Sequence, residues 1–253
     1  MLICIFTGFA SGIPLYVLIS LVPAWLRTEG VGLKEIGLFS LIGLPYVWKF
    51  LWSPLLDRYS IPLLIYRPGL RRSWMLSTQL LLLITIAMLG FLDPMSHLWY
   101  IAWLCLGIAF LSATQDIVLD AYRRQILPDQ ELGLGNSIHV NAYRVAGLVP
   151  GSLSLILSDF LPWNIVFVVT SAFVLVGLIL TLSISEPTSK YNQPTTIKAA
   201  IIDPFDDFFS RQGVQQAFLI LTFMLLYKLG DSMATALATP FYLDMGYSKT
   251  DIG

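Results

Sequence analysis

Apolar residues run along the chain in seven long blocks, each ended by a short polar segment: 2–26, 35–56, 74–92, 98–121, 137–158, 164–184 and 215–239. Each is long enough to cross a hydrocarbon core about 30 Å thick. Such blocks predict membrane-crossing helices, because a helix satisfies its own backbone groups where no water can. Basic residues are unevenly shared between the connecting segments. Those on one side hold Arg58, Arg67, Arg71, Arg72, Arg123, Arg124, Lys190, Lys198 and Arg211, whereas the other side holds only Arg27, Lys34 and Lys249. Cytoplasmic loops collect Arg and Lys, so the N-terminus and the 185–214 segment are expected in the cytoplasm.

Six ionisable residues nevertheless interrupt the apolar blocks: Lys49, Asp116, Asp120, Arg144, Lys228 and Asp231. An unpaired charge in a bilayer costs roughly 2.5–3.5 kcal/mol on the gentlest scale, so six would cost about 15–20 kcal/mol. They are therefore expected to meet one another or to line a wet path, as in a transporter or channel. At the helical rise per residue, Asp116 and Arg144 each lie about 10 Å inside the membrane and Lys49 about 12 Å. These three are expected at one level, as a buried cluster beside Gln115. Asp120 shares a helix face with Ser112 and Asp116 but sits one turn nearer the cytoplasm, where Arg123 or Arg124 is its expected partner. Lys228 and Asp231 share a face in the outer half of the seventh helix.

Two roles are open for these residues. They can form a structural ion-pair network, or they can bind an anion and exchange a proton. Burial and neighbouring charge act in opposite senses on a carboxyl group, so one in such a cluster can change protonation as a cavity opens and closes. Asp116 is the first candidate, with Asp231 and Asp120 after it.

Composition narrows the class. Of 253 residues, 56% are hydrophobic and only 12% charged, with mean hydropathy +0.74, which excludes a soluble domain. Neither Cys4 nor Cys105 implies a disulfide, since both lie in apolar runs. No HExxH, CxxC pair or phosphate-binding loop is present, so no enzyme chemistry, metal, cofactor or nucleic-acid partner is expected.

Other patterns bear on packing. Gly8-x-x-x-Gly12 followed by Pro14 suits close helix approach and a bent gating helix. Tyr46, Trp48, Phe50 and Trp52 crowd the second block; interfacial anchoring is their common use, and Tyr46, on a face with Lys49, Ser53 and Asp57, is placed toward the path. His139 is expected to be a satisfied polar side chain or a proton relay. Within 185–214, Asp203 and Pro204 start a short amphipathic helix carrying Ile201, Phe205, Phe208 and Phe209.

The segment Glu29-Gly30-Val31-Gly32-Leu33-Lys34-Glu35-Ile36-Gly37 is echoed by Met245-Gly246-Tyr247-Ser248-Lys249-Thr250-Asp251-Ile252-Gly253 at one constant offset. Two copies six spans apart indicate a parallel repeat of six-helix halves. The expected organisation is a bundle over 1–184, a cytoplasmic linker over 185–214, and the first helix of a second bundle with the start of the next over 215–253. About seven spans of twelve or more are expected, with a C-terminal half missing and required for transport.

Four strings resemble a known family. They are Gly8-Phe-Ala-Ser-Gly12-Ile-Pro14, Tyr46-Val-Trp-Lys49-Phe-Leu-Trp-Ser-Pro54-Leu-Leu-Asp57-Arg58-Tyr59, and Ser112-Ala-Thr-Gln115-Asp116-Ile-Val-Leu-Asp120 together with Leu226-Tyr227-Lys228-Leu-Gly230-Asp231. They resemble AmpG-type muropeptide permeases of the major facilitator superfamily, an all-α transmembrane bundle. Asp57-Arg58 followed by Gly69-x-Arg71-Arg72 resembles the superfamily's loop signature, stretched by extra residues; the resemblance implies a cytoplasmic latch at Asp57, Arg58, Arg71 and Arg72. It also implies a proton-driven symporter in the inner membrane of a Gram-negative bacterium. Its cargo would be anhydro-N-acetylmuramyl peptides linked to N-acetylglucosamine, imported for cell-wall recycling and linked to β-lactamase induction. Lys49, Arg144 and Lys228 would be counter-charges for that anionic sugar-peptide. The alternatives are an acetyl-coenzyme A-type carrier of the same superfamily and a non-transporting membrane scaffold or sensor.

Overall fold

The computed structural model describes residues 1–59, 61, 69–187, 209–211 and 213–253; the side chains at 228, 229, 231, 232 and 236 lie outside the description. The expected amphipathic helix at Asp203 and Pro204, and Arg67, Lys190 and Lys198, fall outside the described residues. Every regular element among the described residues is helical.

Among the described residues, five helices are long and apolar enough to cross a membrane. They are α1 (Leu2–Thr28), α3 (Leu70–Leu89), α4 (Pro94–Ile126), α5 (Asp129–Leu157) and α6 (Trp163–Ser183). A seventh element, α7, runs Val214–Asp244, and a short α8 runs Lys249–Ile252. The chain alternates between a near end, where α1 begins, and a far end, where it finishes.

The second block, α2, departs from expectation. In place of one helix over 35–56 it forms five short pieces: Leu33–Phe39, Ser40–Gly43, Leu44–Trp48, Lys49–Leu51 and Ser53–Arg58. Pro45 and Pro54 each sit in the first turn of a new piece. A proline has no N–H to give the preceding turn, so it starts a helix more readily than it continues one. The pieces bring Tyr46, Lys49 and Trp52 alongside α4.

The tightest seam joins α1 to α5. A Cβ on Gly8 would strike the His139 carbonyl and one on Gly12 the Tyr143 carbonyl, with the Ala142 and Ala146 methyls at 3.1 and 2.8 Å. Small residues at this spacing let two backbones touch. Each of these helices then opens into a wide π turn, Val17–Leu21 in α1 and Val149–Leu153 in α5, and the two turns pack against each other. The carbonyl of Val149 is caught by the Ser154 hydroxyl at 2.9 Å. Pro14 is thus followed by a widened turn and a continuous helix.

A core of Ile13, Val17, Leu21, Trp25, Leu82, Ile86, Ile101, Ile108 and Phe167 joins α1, α3, α4 and α6, and Trp25 meets Phe167 edge-on at 5.0 Å. The opposite faces of α3 and α6 expose Leu80, Leu81, Ile84, Ile165, Val168 and Ile179. These two helices, whose blocks 74–92 and 164–184 hold no ionisable residue, carry an apolar outer surface.

The echoed segments adopt one conformation. Gly30 and Gly246 have φ of +93° and +90°, in the left-handed region that suits glycine. Val31 N then bonds Leu26 O at 2.9 Å, and Tyr247 N bonds Tyr242 O at 3.3 Å. Gly32 and Ser248 are extended N-caps of the helices that follow. The same corner ends α1 and α7.

Candidate transport site

Four helices converge near the middle of the bundle. From α1 the Ser11 hydroxyl donates to the Asp116 carboxylate of α4 at 2.5 Å. One residue along each helix, the Gln115 amide donates to the Ala10 carbonyl at 3.2 Å. From α2, Trp52 Nε1 donates to the Thr114 hydroxyl at 3.1 Å and its ring lies 4.9 Å from that of Phe110. From α5, Tyr143 stands 5.7 Å from Tyr16 of α1, ring to ring. The small residues around Gly8 and Gly12 draw α1 close enough to α5 and α4 for these contacts to form.

Asp116 is partly buried and about 15 Å, ten residues, from the near end of α4. The charges whose fields reach it belong to Lys49, Asp120 and Arg123. Among the described residues it makes no ion pair within 4.0 Å. Around it lie buried polar atoms that have no hydrogen-bond partner among the described residues: Tyr46 Oη, Ser112 Oγ and Gln115 Oε1. Buried polar atoms are ordinarily satisfied, so these atoms can receive water or a polar ligand group.

The expected three-way cluster is not formed. Lys49 and Asp116 are neighbours, but Arg144 is exposed and its charge is absent from those acting on Asp116. The reason is helical phase. Ala142 and Ala146 face the α1 glycines, and Arg144, midway between them, is turned about 160–200° to the opposite side of α5. Asp120 pairs with Arg123 at 2.8 Å. His139 is buried with Nδ1 3.3 Å from the Thr7 hydroxyl. The side chains of Lys228 and Asp231 lie outside the described residues.

At the near end the latch residues divide. Arg71 is buried and its Nη1 sits 2.7 Å from Asp57, which is more exposed. Arg72 donates to the carbonyls of Thr181 and Leu182 at 3.1 and 3.3 Å, tying α3 to the end of α6. Arg58 lies 5.6 Å from the Tyr59 ring centroid. Sequence reasoning missed Glu186, whose two oxygens accept from the Arg71 and Arg72 amides at 2.7 and 3.0 Å. A carboxylate there satisfies free N–H groups and meets the positive pole of α3. The available signal was an acid just past the sixth block, facing Gly69-Leu70-Arg71-Arg72.

A bundle of apolar helices around a half-buried carboxylate is the pattern that comparison with other proteins resolves. The Major Facilitator Superfamily model matches residues 4–253. The chain belongs to that superfamily. It is 52% identical over 256 residues to an uncharacterized protein of Haemophilus influenzae, covering 100% of this chain and 59% of that one. It is 44% identical over 253 residues to the anhydromuropeptide permease of Escherichia coli, covering 99% and 50%. A Rickettsia felis protein named as an AmpG transporter is 32% identical over 252 residues, covering 97% and 60%. The resemblance to AmpG-type permeases is therefore borne out, the fold is a major facilitator helical bundle, and the chain is a multi-pass membrane protein of a transporter family. It spans between half and three-fifths of the length of these relatives.

Proposed function

We propose that the protein works as a proton-coupled symporter that imports anhydro-muropeptides across a bacterial inner membrane. Its N-terminus and near end would lie in the cytoplasm, in line with the basic residues collected there. The observation that carries the coupling is the Asp116 carboxylate, held by the Ser11 hydroxyl and bearing no ion-pair partner among the described residues. A carboxylate locked to an arginine keeps its charge. One held by a hydroxyl can take up and release a proton as water reaches it.

The proposed cargo follows from likeness to the anhydromuropeptide permease together with the chemistry of the site. Lys49 supplies positive charge beside Asp116, and the buried polar atoms of Tyr46, Ser112 and Gln115 supply hydrogen bonding. Lys228 is proposed as a further cavity residue and Asp231 as a second proton-coupling residue, within an organisation of a bundle over 1–184, a linker over 185–214 and a second bundle from 215 onward. Peptidoglycan recycling and β-lactamase induction would follow from such import, and both bundles would be needed for it.

The test is uptake of labelled anhydro-muropeptide by vesicles carrying the full-length gene product. Accumulation should rise when an inward proton gradient is imposed and collapse with a protonophore. Uptake of labelled acetyl-coenzyme A in its place would transfer the protein to that carrier group, and uptake of neither would leave a scaffold or sensor.

A further inference from the structure

Where α1, α4 and α5 meet, each helix brings two polar groups set one turn apart. From α1 they are Ser11 and Thr7, from α4 Asp116 and Asp120, and from α5 Tyr143 and His139. Residues four apart share a helix face, with a rise of about 6 Å between them. The six groups therefore stack in two tiers. Ser11, Asp116 and Tyr143 form the deeper one, in which the Ser11 hydroxyl donates to Asp116 and the field of Asp116 reaches the Tyr143 phenol. Thr7, Asp120 and His139 form the other, closer to the near end and beside Arg123.

His139 is a buried ionisable group in a membrane helix, where such a group is kept at a cost. Among the described residues, α1 presents to it Thr7 and, one turn away beside Gly135, the thiol of Cys4. Its own helix adds Tyr143. From α4 come Asp120 and Arg123, which pair at 2.8 Å and whose opposite charges both act on the imidazole. Arg123 also reaches Asn136 Oδ1 at 3.2 Å, and the Asp120 side chain is half exposed, so this tier opens toward the near end. The ring is oriented as well. Thr7 Oγ1 gives its hydrogen to the Cys4 carbonyl at 3.2 Å, so it accepts from His139 Nδ1, 3.3 Å away. Nδ1 then carries the hydrogen, and Nε2 keeps a lone pair.

We propose that His139 is the group that carries the proton from Asp116 to water at the near end. The relay rests on the reading of the chain as a proton-coupled carrier. The Asp116 carboxyl passes its proton through one water to His139 Nε2, leaving a carboxylate and an imidazolium. The imidazolium then gives a proton to near-end water and returns to neutral. Two hydrogen bonds of ordinary length cover about 6 Å, the rise between the tiers. Asp120 attracts the passing charge and Arg123 repels it, so the proton is neither barred nor trapped.

Time-resolved infrared spectroscopy of the full-length gene product in proteoliposomes tests this step without cargo. The protonated-carboxyl band that Asp116→Asn removes reports Asp116, and its decay is followed after an alkaline jump at the near face. His139→Gln should slow that decay about a hundredfold, the lower end of what a placed proton acceptor contributes. The pH at which the band is half lost should stay at the parent value. Thr7→Val keeps the shape of its side chain but frees the ring, and should slow the decay about fivefold; it decides the matter if the Gln variant does not fold. Parent decay in His139→Gln, or a moved midpoint at the parent rate, would mark a structural histidine and overturn the relay. A missing Asp116 band would overturn the relay and the proposed coupling together. Slowed decay in a protein whose parent takes up no muropeptide refutes only the cargo.

Discussion

Ser11 and Asp116 touch across the seam between α1 and α4, hydroxyl to carboxylate, at 2.5 Å. The contact links α1 to the helix that bears the half-buried acid, so a shift of either changes the surroundings of the other. Asp116→Asn keeps the shape and removes the carboxyl proposed to carry the proton. Gradient-driven accumulation should be abolished while exchange of internal for external muropeptide persists, measured in the same vesicles. Ser11→Ala should lower the coupled rate about tenfold, the scale of a lost hydrogen bond to a charged group. Normal accumulation by the Asn variant would remove Asp116 from the mechanism.

The α1–α5 seam makes a stability prediction. Gly12→Val drives a side chain into the Tyr143 carbonyl. Overpacking of this kind costs about 1–3 kcal/mol, and more when the obstacle is backbone. Gly133→Ala meets nothing within 4 Å and should be neutral or stabilising, by up to about 1 kcal/mol. Thermal unfolding in detergent distinguishes the two.

Near-end pairs should differ in value. Asp57→Asn leaves Arg71, whose side chain is 8% exposed, charged without its acid; a cost of about 1–3 kcal/mol is expected. Arg124→Gln breaks a pair whose side chains are 45% and 79% exposed, and should cost under about 1 kcal/mol. Glu186→Ala uncovers two amides at the start of α3 and should cost about 0.5–2 kcal/mol. Denaturation midpoints of the three variants give the order directly.

Asp159, in the turn between α5 and α6, accepts from the Thr250 amide at 2.9 Å and hydroxyl at 2.6 Å and pairs with Lys249 at 3.3 Å, and this far-end tie should depend on pH in one direction. Partial desolvation pushes the Asp159 carboxyl up, but hydrogen bonds from Thr250 and Lys249 outweigh it and hold the group below its ordinary 3.8. A depressed carboxyl stabilises above its unfolded value and loses that effect as pH falls through the folded one. The difference in melting temperature between parent and Asp159→Asn should therefore be constant from about pH 8 to pH 5 and shrink toward zero below about pH 4.

Hydropathy was enough to find the helices, because a bilayer leaves the chain few options. The glycine pair of α1 and the echoed corner at Gly30 and Gly246 were also readable, since each depends on a local backbone requirement. What could not be read was phase. Arg144 sits at the expected depth but on the wrong side of α5, which is set by where Ala142 and Ala146 meet α1. The breaks in α2 were visible as Pro45 and Pro54, yet apolar length outweighed them. Glu186 and Asp159 act on helix ends distant in sequence, and only the assembled bundle brings donors to them.

The wide turns at Val17–Leu21 and Val149–Leu153 add a residue to each coil without ending it. Each insertion loosens the backbone ladder locally, so deformation concentrates there and spares the rest of the rod. Two neighbouring rods with elbows at equal height can swing their upper arms together while their lower arms stay clasped. The glycine clasp and the elbows above it thus set the tightest and the loosest backbone of the bundle side by side within the same pair of helices.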